Sequence, residues 1–160
     1  MRSKAAIGNH PIHPALVTIP IGALVLALIG DIAMSAVHTQ FWYSFGLYCL
    51  GIGILGALLA AIFGFIDYFS VSMTAPARTL ATRHMVLNLT AVVLYIISFF
   101  LRLNNAAFLT GRWAVVMALE VIALVILATS GWIGGQMAYV HRVGVLEAPE
   151  IKETQARRVA

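Results

Sequence analysis

Hydrophobic residues fill four long runs of the chain, and polar residues are concentrated between these runs. The runs cover about residues 15–37, 44–66, 85–101 and 113–135, each close to the roughly 20 residues that a helix needs to cross the hydrocarbon core of a bilayer. The pattern predicts an all-α fold, a polytopic membrane four-helix bundle with antiparallel, up-down helices. We expect a single transmembrane domain over residues 1–160, with a polar tail from about residue 143 onward.

Composition supports a membrane protein, and the distribution of basic residues predicts its orientation. Of the 160 residues, 61% are hydrophobic and only 10% are charged, which is far from the composition of a soluble domain. Eight of the ten lysines and arginines lie before the first run, between the second and third runs, or after the fourth. The positive-inside rule then places both termini in the cytoplasm. Contact with anionic lipid accounts for the net charge of +4, so no nucleic-acid partner is expected.

Two histidines stand between prolines where the first apolar run begins. The segment reads His10-Pro11-Ile12-His13-Pro14. Each proline fixes its own backbone and restricts the residue before it, so the histidines are expected in a stiff turn. Pro14 is well placed as a first helical residue, and Pro20 is expected to kink the helix that follows.

One predicted polar layer lies on the outer side of the bundle. Asp31 follows His13 by eighteen residues, which is five helical turns, so the two side chains point the same way. Antiparallel packing brings Asp31 to the same depth as Arg102 and Glu120. Ionisable groups inside a membrane span are costly unless they are paired or solvated. The layer is therefore interpreted either as an ion-pair network that holds the helices together or as a proton or quinol site.

A second predicted polar layer lies on the cytoplasmic side. Neutral imidazole is a ligand for haem iron, zinc, copper and non-haem iron, and bundle cores position such ligands on facing helices. Arginines next to two of the histidines are candidates to pair with haem propionates. The candidate ligands are His13, His84, His141 and Asp67, with His10 nearby, and the candidate arginines are Arg83 and Arg142.

Small residues form a stripe along the second run. Gly53, Gly56, Ala60 and Gly64 recur at helical spacing, which favours close contact between helices and permits a homodimer. The formal G-x-G-x-x-G match in this run lies inside an apolar helix. It is therefore not a dinucleotide-binding motif.

The polar positions together resemble a known bacterial family. Four segments carry the resemblance: His-Pro-Ile-His-Pro-Ala-Leu-Val-Thr-Ile-Pro-Ile from His10, Gly-Phe-Ile-Asp-Tyr from Gly64, His84 near the start of the third helix, and Gly-Gly-Gln-Met-Ala-Tyr-Val-His from Gly134. They are similar to the membrane family called domain of unknown function 2231. The resemblance implies a four-helix protein of the bacterial inner membrane. Its relatives are sometimes joined to Rieske or cytochrome-type modules, which implies redox electron transfer.

Three functional hypotheses follow. The preferred one is a small cytochrome-like protein with haem b in the cytoplasmic half, ligated by two of His13, His84 and His141 and most favourably by His84 and His141. It would exchange electrons with quinol and a redox partner protein, as an electron-transfer component rather than a self-contained enzyme. The second is a single transition metal ion, zinc, copper or iron, bound by the three histidines and Asp67. The third is a structural or accessory membrane subunit.

Overall fold

The computed structural model describes residues 3–8, 10–103 and 111–145 and confirms a bundle of four long helices. Each helix is long and apolar enough to cross a membrane. The predicted tail lies outside the described residues from position 146 onward, and the cytoplasmic placement of the termini stays a prediction. The elements are strands β1 (Ala6–Ile7) and β2 (His10–Pro11) and helices α1 (Ile12–Leu16), α2 (Thr18–Val37), α3 (Gln40–Ser70), α4 (Ala75–Leu103) and α5 (Trp113–Tyr139).

Helices α3, α4 and α5 extend beyond the apolar runs that predicted them. Helix α4 begins at Ala75, ten residues before the predicted start of its run, and α3 begins at Gln40 rather than near 44. Hydropathy indicates which part of a helix contacts the lipid tails. The backbone hydrogen bonds of the helix continue through polar turns at the headgroup level. The apolar runs therefore give the membrane-embedded part of each helix and not its full length.

The first span is broken one turn after its start. Helix α1 ends at Leu16 and α2 begins at Thr18, with Val17 between them. Pro20 explains the break, because its ring nitrogen carries no hydrogen for the carbonyl of Leu16 four residues earlier. The predicted kink is thus present, and it separates the short helix carrying His13 from the main span.

The four long helices pack in the order α2–α3–α4–α5 around the bundle. Packing is closest within the hairpins α2–α3 and α4–α5 and sparser between them, so α2 lies diagonally opposite α4. Large apolar side chains such as Ile19, Leu55 and Val125 face outward, as expected for helices surrounded by lipid.

The small-residue stripe of α3 packs inside the chain. A Cβ atom added at Gly53 would lie 2.5 Å from Leu24, and one added at Gly56 would lie 3.2 Å from Pro20. The stripe therefore accommodates α2, and it offers no separate support for the predicted homodimer.

The two hairpins repeat the same pattern of buried positions. Positions on α4 follow their equivalents on α1 and α2 by 71 residues, and positions on α5 follow those on α3 by 70. Many of these equivalent pairs are buried at both positions. They include Pro20/Ala91, Leu24/Tyr95, Ala27/Ser98, Asp31/Arg102, Tyr43/Trp113, Gly46/Val116, Leu50/Glu120, Gly53/Ala123 and Ala60/Ser130.

Equivalent residues of the two hairpins also touch each other. The rings of Tyr43 and Trp113 have centroids 6.3 Å apart, and Asp31 forms an ion pair with Arg102. Self-contact of equivalent positions is the signature of a two-fold relation, as in an isologous dimer interface. These two contacts lie at one end of the bundle, and at the other end the equivalent residues His13 and His84 have ring centroids 6.3 Å apart. The approximate two-fold axis therefore runs along the helices.

Candidate functional site

His13 and His84 meet at one end of this approximate axis. Their ring centroids are 6.3 Å apart and their planes are nearly perpendicular, at 88°. His84 follows His13 by 71 residues, the same offset that relates the buried positions of α2 and α4. The chain therefore places one imidazole from each hairpin at equivalent positions, next to each other.

Each of the two rings is fixed by an equivalent hydrogen bond. His13 Nδ1 lies 2.8 Å from the carbonyl oxygen of Ala60, and His84 Nδ1 lies 2.8 Å from that of Ser130. A carbonyl oxygen only accepts, so Nδ1 carries the proton in each contact and donates it. In the neutral imidazole, Nε2 then carries a lone pair and is available to a ligand.

A glycine lies against each ring. It is one helical turn after the residue whose carbonyl oxygen binds that ring. A Cβ atom added at Gly64 would lie 3.1 Å from His13 Cε1 and Nδ1, and one added at Gly134 would lie 3.1 Å from His84 Cε1. These distances are shorter than ordinary van der Waals contact. The two glycines therefore provide the space in which the imidazoles lie.

Among the residues that the structure describes, His84 has additional hydrogen-bonded neighbours that have no counterpart at His13. Asn88 donates from Nδ2 to the carbonyl oxygen of His84 at 2.9 Å and to Ser130 Oγ at 2.8 Å. Ser130 Oγ also lies 3.0 Å from His84 Nδ1. This network ties α4 to α5 around the histidine and holds its ring in one orientation.

The other predicted ligands lie elsewhere. His141 follows the end of α5, where its backbone nitrogen donates to Gln136, and His10 is exposed in β2. Arg83 and Arg142 are exposed. In residues 3–8, 10–103 and 111–145, no group of three histidine, cysteine or acidic side chains could hold a metal ion. The structure thus brings His84 together with His13, and it does not assemble the predicted set of three histidines and Asp67.

Asp67 binds the N-terminal segment of its own chain. Its Oδ1 accepts hydrogen bonds from the backbone nitrogens of Lys4 and Ala5 at 2.8 and 3.0 Å, and its Oδ2 accepts one from Ser3 Oγ at 2.6 Å. These three hydrogen bonds to the Asp67 carboxylate hold residues 3–5 against the end of α3. The sequence marked Asp67 as polar but gave no sign of these backbone partners.

The predicted outer layer forms a buried ion cluster. Arg102 Nη1 lies 2.8 Å from Asp31 Oδ2 and 3.5 Å from Glu120 Oε1, and Ser98 Oγ donates to Glu120 Oε1 at 2.8 Å. The side chains of Asp31 and Arg102 are 0% exposed and that of Glu120 is 1% exposed. Antiparallel packing of the predicted spans placed these three residues at one depth, and the structure brings them into contact.

Aromatic residues enclose this cluster. Arg102 Nη2 donates to the carbonyl oxygen of Tyr43 at 3.0 Å, and the Tyr43 hydroxyl donates to the carbonyl oxygen of Arg102. The guanidinium carbon lies 5.4 Å from the Tyr43 ring centroid and 5.3 Å from that of Trp113, within the range of cation–π attraction. Gly46 closes the cluster, because a Cβ atom there would lie 2.2 Å from Asp31 Oδ1.

Most residues that hold the two sites in place could not be found from the sequence. Ala60, Ser130, Gly46, Tyr43 and Trp113 carry no individual signal of this role. The equal spacing of His13 to Asp31 and of His84 to Arg102, eighteen residues in each case, would have revealed the repeat and with it the histidine pair.

An apolar layer separates the two sites. Leu24, Ala27, Leu50, Ile54 and Ala123 form a buried cluster in the middle of the bundle, together with Ala91 and Tyr95. The histidine pair and the ion cluster are therefore distinct sites at opposite ends of the span.

A family model described as "Predicted membrane protein (DUF2231)" matches residues 9–147. The chain belongs to this family. The DUF2231 match contains the four spans, the histidine pair and the ion cluster, and its description agrees with a multi-pass membrane protein. Comparison with curated proteins and with solved structures gives no match.

Proposed function

We propose that this DUF2231 protein is an electron-transfer protein of the bacterial inner membrane that holds one haem b between His13 and His84. The observation that carries the proposal is the adjacent pair of imidazoles, one from each hairpin, with ring centroids 6.3 Å apart. Both histidines were candidate ligands in the sequence, where His84 and His141 were the favoured pair. We propose His13 in place of His141 as the partner of His84.

The hydrogen bonds of the two histidines suit metal ligation. Metal-binding histidines almost always donate the hydrogen of the other ring nitrogen to a carbonyl or carboxylate, which fixes the ring and raises the basicity of the ligating nitrogen. His13 and His84 both donate from Nδ1 to a backbone carbonyl. Their Nε2 atoms are therefore in the form that binds a metal.

The ring centroids lie 6.3 Å apart. At that separation His13 and His84 would both be able to reach one metal ion with metal–nitrogen bonds of about 2.0 Å. Two histidines without a third protein ligand favour haem over zinc, because the porphyrin supplies the remaining ligands.

A flat macrocycle fits best in the seam between the hairpins. His13 and His84 approach each other from the diagonal pair of helical segments, and packing between the hairpins is sparser than within them. Gly64 and Gly134 lie against the rings and add no side chain there. Bound haem would supply a one-electron carrier held by the two histidines. This suits transfer between quinol and a redox partner protein rather than a self-contained enzyme.

The test is the absorption spectrum of detergent-purified protein, oxidised and reduced, with total metal analysis. The protein is expressed with haem supplied. The expected result is a Soret band that shifts on reduction, at about one haem per chain, and its loss in His13→Ala and in His84→Ala. His141→Ala is the matched control and should retain the band.

Two results would overturn the proposal. One is wild-type protein without a Soret band under these conditions, whether or not another metal is present in stoichiometric amount. The other is a band retained in both His13→Ala and His84→Ala. If the Soret band is lost in His141→Ala and retained in His13→Ala, the ligands are His84 and His141, the pair favoured from the sequence.

A further inference from the structure

The buried cluster of Asp31, Arg102 and Glu120 contains one more acid than base. Two carboxylates and one guanidinium carry a formal charge of −1, and all three side chains are at most 1% exposed. An uncompensated charge in a low-dielectric interior is strongly disfavoured, and the usual response is neutralisation by a proton. The charge balance therefore calls for one additional positive charge.

Within the part of the chain that the structure describes, no neighbouring side chain supplies that charge. Tyr43 and Cys49 from α3, Tyr95 and Ser98 from α4 and Trp113 from α5 surround the three residues, and none of them is a base. The other basic residues near this end, His38 and Arg112, are exposed, and the sequence of residues 104–110 contains no lysine, arginine or histidine. A bound cation, of which a proton is the smallest, would supply the compensating charge.

Two unpartnered oxygens indicate where that cation binds. Asp31 Oδ1 and Glu120 Oε2 are buried and have no hydrogen-bond partner among the described residues. Both carboxyl groups contact the same nitrogen, Arg102 Nη1, Asp31 Oδ2 at 2.8 Å and Glu120 Oε1 at 3.5 Å, so the two groups are neighbours. Two ionised carboxylates can only accept and cannot hydrogen-bond to each other, whereas a single proton allows one to donate to the other. One proton thus balances the charge and links the two carboxyl groups.

Comparison of the two hairpins identifies Glu120 as the additional acid. Asp31 and Arg102 are equivalent positions, and together they form a neutral pair across the approximate two-fold axis. The position equivalent to Glu120 is Leu50, and the position equivalent to Ser98 is Ala27. Glu120 and the hydroxyl that binds it therefore occur in one hairpin only, and the ion pair between the hairpins does not require them.

We propose that Asp31 and Glu120 form a buried proton-binding site in which the two carboxyl groups share one proton beside Arg102. Binding forms one O–H bond on a carboxylate and leaves the cluster neutral, and release returns the proton to water at the end of the bundle opposite the histidine pair. The apolar layer around Leu24, Leu50 and Ala123 separates this site from the histidines. The proposal is independent of the haem assignment.

Infrared spectroscopy of the purified, detergent-solubilised full-length protein tests this directly. The carbonyl stretch of a protonated carboxylic acid lies at higher wavenumber than the amide I band and shifts in D2O. At about pH 8 an ordinary water-exposed carboxyl group is ionised and contributes nothing there. The wild-type protein is expected to show a band from one protonated carboxyl per chain.

Three variants assign that band. Glu120→Leu copies the residue at the equivalent position of the other hairpin, and it should abolish the band because Asp31 then pairs with Arg102 as a carboxylate. Asp31→Asn should abolish it for the same reason, with Glu120 as the remaining carboxylate. Asp67→Asn should retain it. The visible spectrum of Glu120→Leu should be unchanged, which separates this test from that of the haem site.

Absence of the band in the wild-type protein would overturn the proposal, as would its persistence in Glu120→Leu. If Asp31→Asn does not fold, Glu120→Leu decides the question alone. If Glu120→Leu also fails to fold, the wild-type band and its loss in Glu120→Gln take its place.

Discussion

His13 and His84 occupy equivalent positions in the two helical hairpins, and their imidazole rings lie nearly perpendicular to each other with centroids 6.3 Å apart. Each ring donates from Nδ1 to an equivalent carbonyl, that of Ala60 or that of Ser130. The same approximate axis brings Asp31 against Arg102 at the other end of the bundle. At both polar sites of this DUF2231 protein, equivalent residues of the two hairpins thus contact each other.

The glycines beside the histidines should be essential to the site but not to the fold. Gly64→Ala or Gly134→Ala places a methyl group about 3.1 Å from an imidazole ring, so the ring must shift by a few tenths of an ångström. We expect a several-fold loss of bound haem per chain, measured by the Soret absorbance relative to protein. Gly135→Ala adds its methyl group to open space and is the matched control. Equal haem content in all three variants would contradict this prediction.

Removal of Arg102 should destabilise the bundle more than removal of the whole cluster. Arg102→Met leaves two acids buried without their base, and breaking a buried pair in this way costs about 3–5 kcal/mol. The combined replacement Asp31→Leu, Arg102→Met and Glu120→Leu removes every buried charge of the cluster and should recover most of that loss. Thermal unfolding in detergent measures the difference. A triple variant less stable than Arg102→Met would show that this account of the cluster is wrong.

Gly46 should tolerate no side chain. An added Cβ atom would lie 2.2 Å from Asp31 Oδ1 and 3.0 Å from Arg102 Nη2, so Gly46→Ala forces the ion cluster apart. We expect a loss of stability of about 1–3 kcal/mol, or more if the ion pair breaks. Gly22→Ala meets no atom within 4 Å and should change stability by less than about 0.5 kcal/mol. Comparable unfolding temperatures for the two variants would count against the observed packing.

Loss of the Asp67 carboxylate should release the N-terminal segment and leave the histidine pair intact. Asp67→Ala removes the acceptors for Ser3, Lys4 and Ala5, so trypsin should cleave after Lys4 faster than in the wild-type protein. Asp67→Asn keeps one oxygen acceptor and should give an intermediate rate. Haem content should be the same in all three proteins. A loss of bound metal in both variants would instead support Asp67 as a metal ligand.

The four spans could be predicted from hydropathy alone, because a lipid-facing helix must be apolar over its whole embedded length. The ends of the helices could not be predicted in this way, since α4 begins ten residues before its apolar run, in polar sequence. Proline chemistry located the break near Pro20 correctly.

The sites could be predicted in part. Antiparallel packing of the predicted spans placed Asp31, Arg102 and Glu120 at one depth, and their contact follows from the cost of leaving buried charges apart. The histidine pairing could not be obtained in this way, because a helical wheel gives the direction of a side chain and not the order of helices around the bundle. His141 shares a face with Glu120 on the wheel, yet it lies beyond the end of α5.

The most direct test of the central claim is the electron paramagnetic resonance spectrum of the oxidised wild-type protein. Two neutral imidazoles in nearly perpendicular planes predict a low-spin ferric haem with a strongly anisotropic signal, at about one haem per chain, and conversion to a high-spin signal or loss of haem in either His13→Ala or His84→Ala. A high-spin signal in the wild-type protein, or no ferric haem signal after expression with haem supplied, would contradict the assignment of His13 and His84 as a ligand pair.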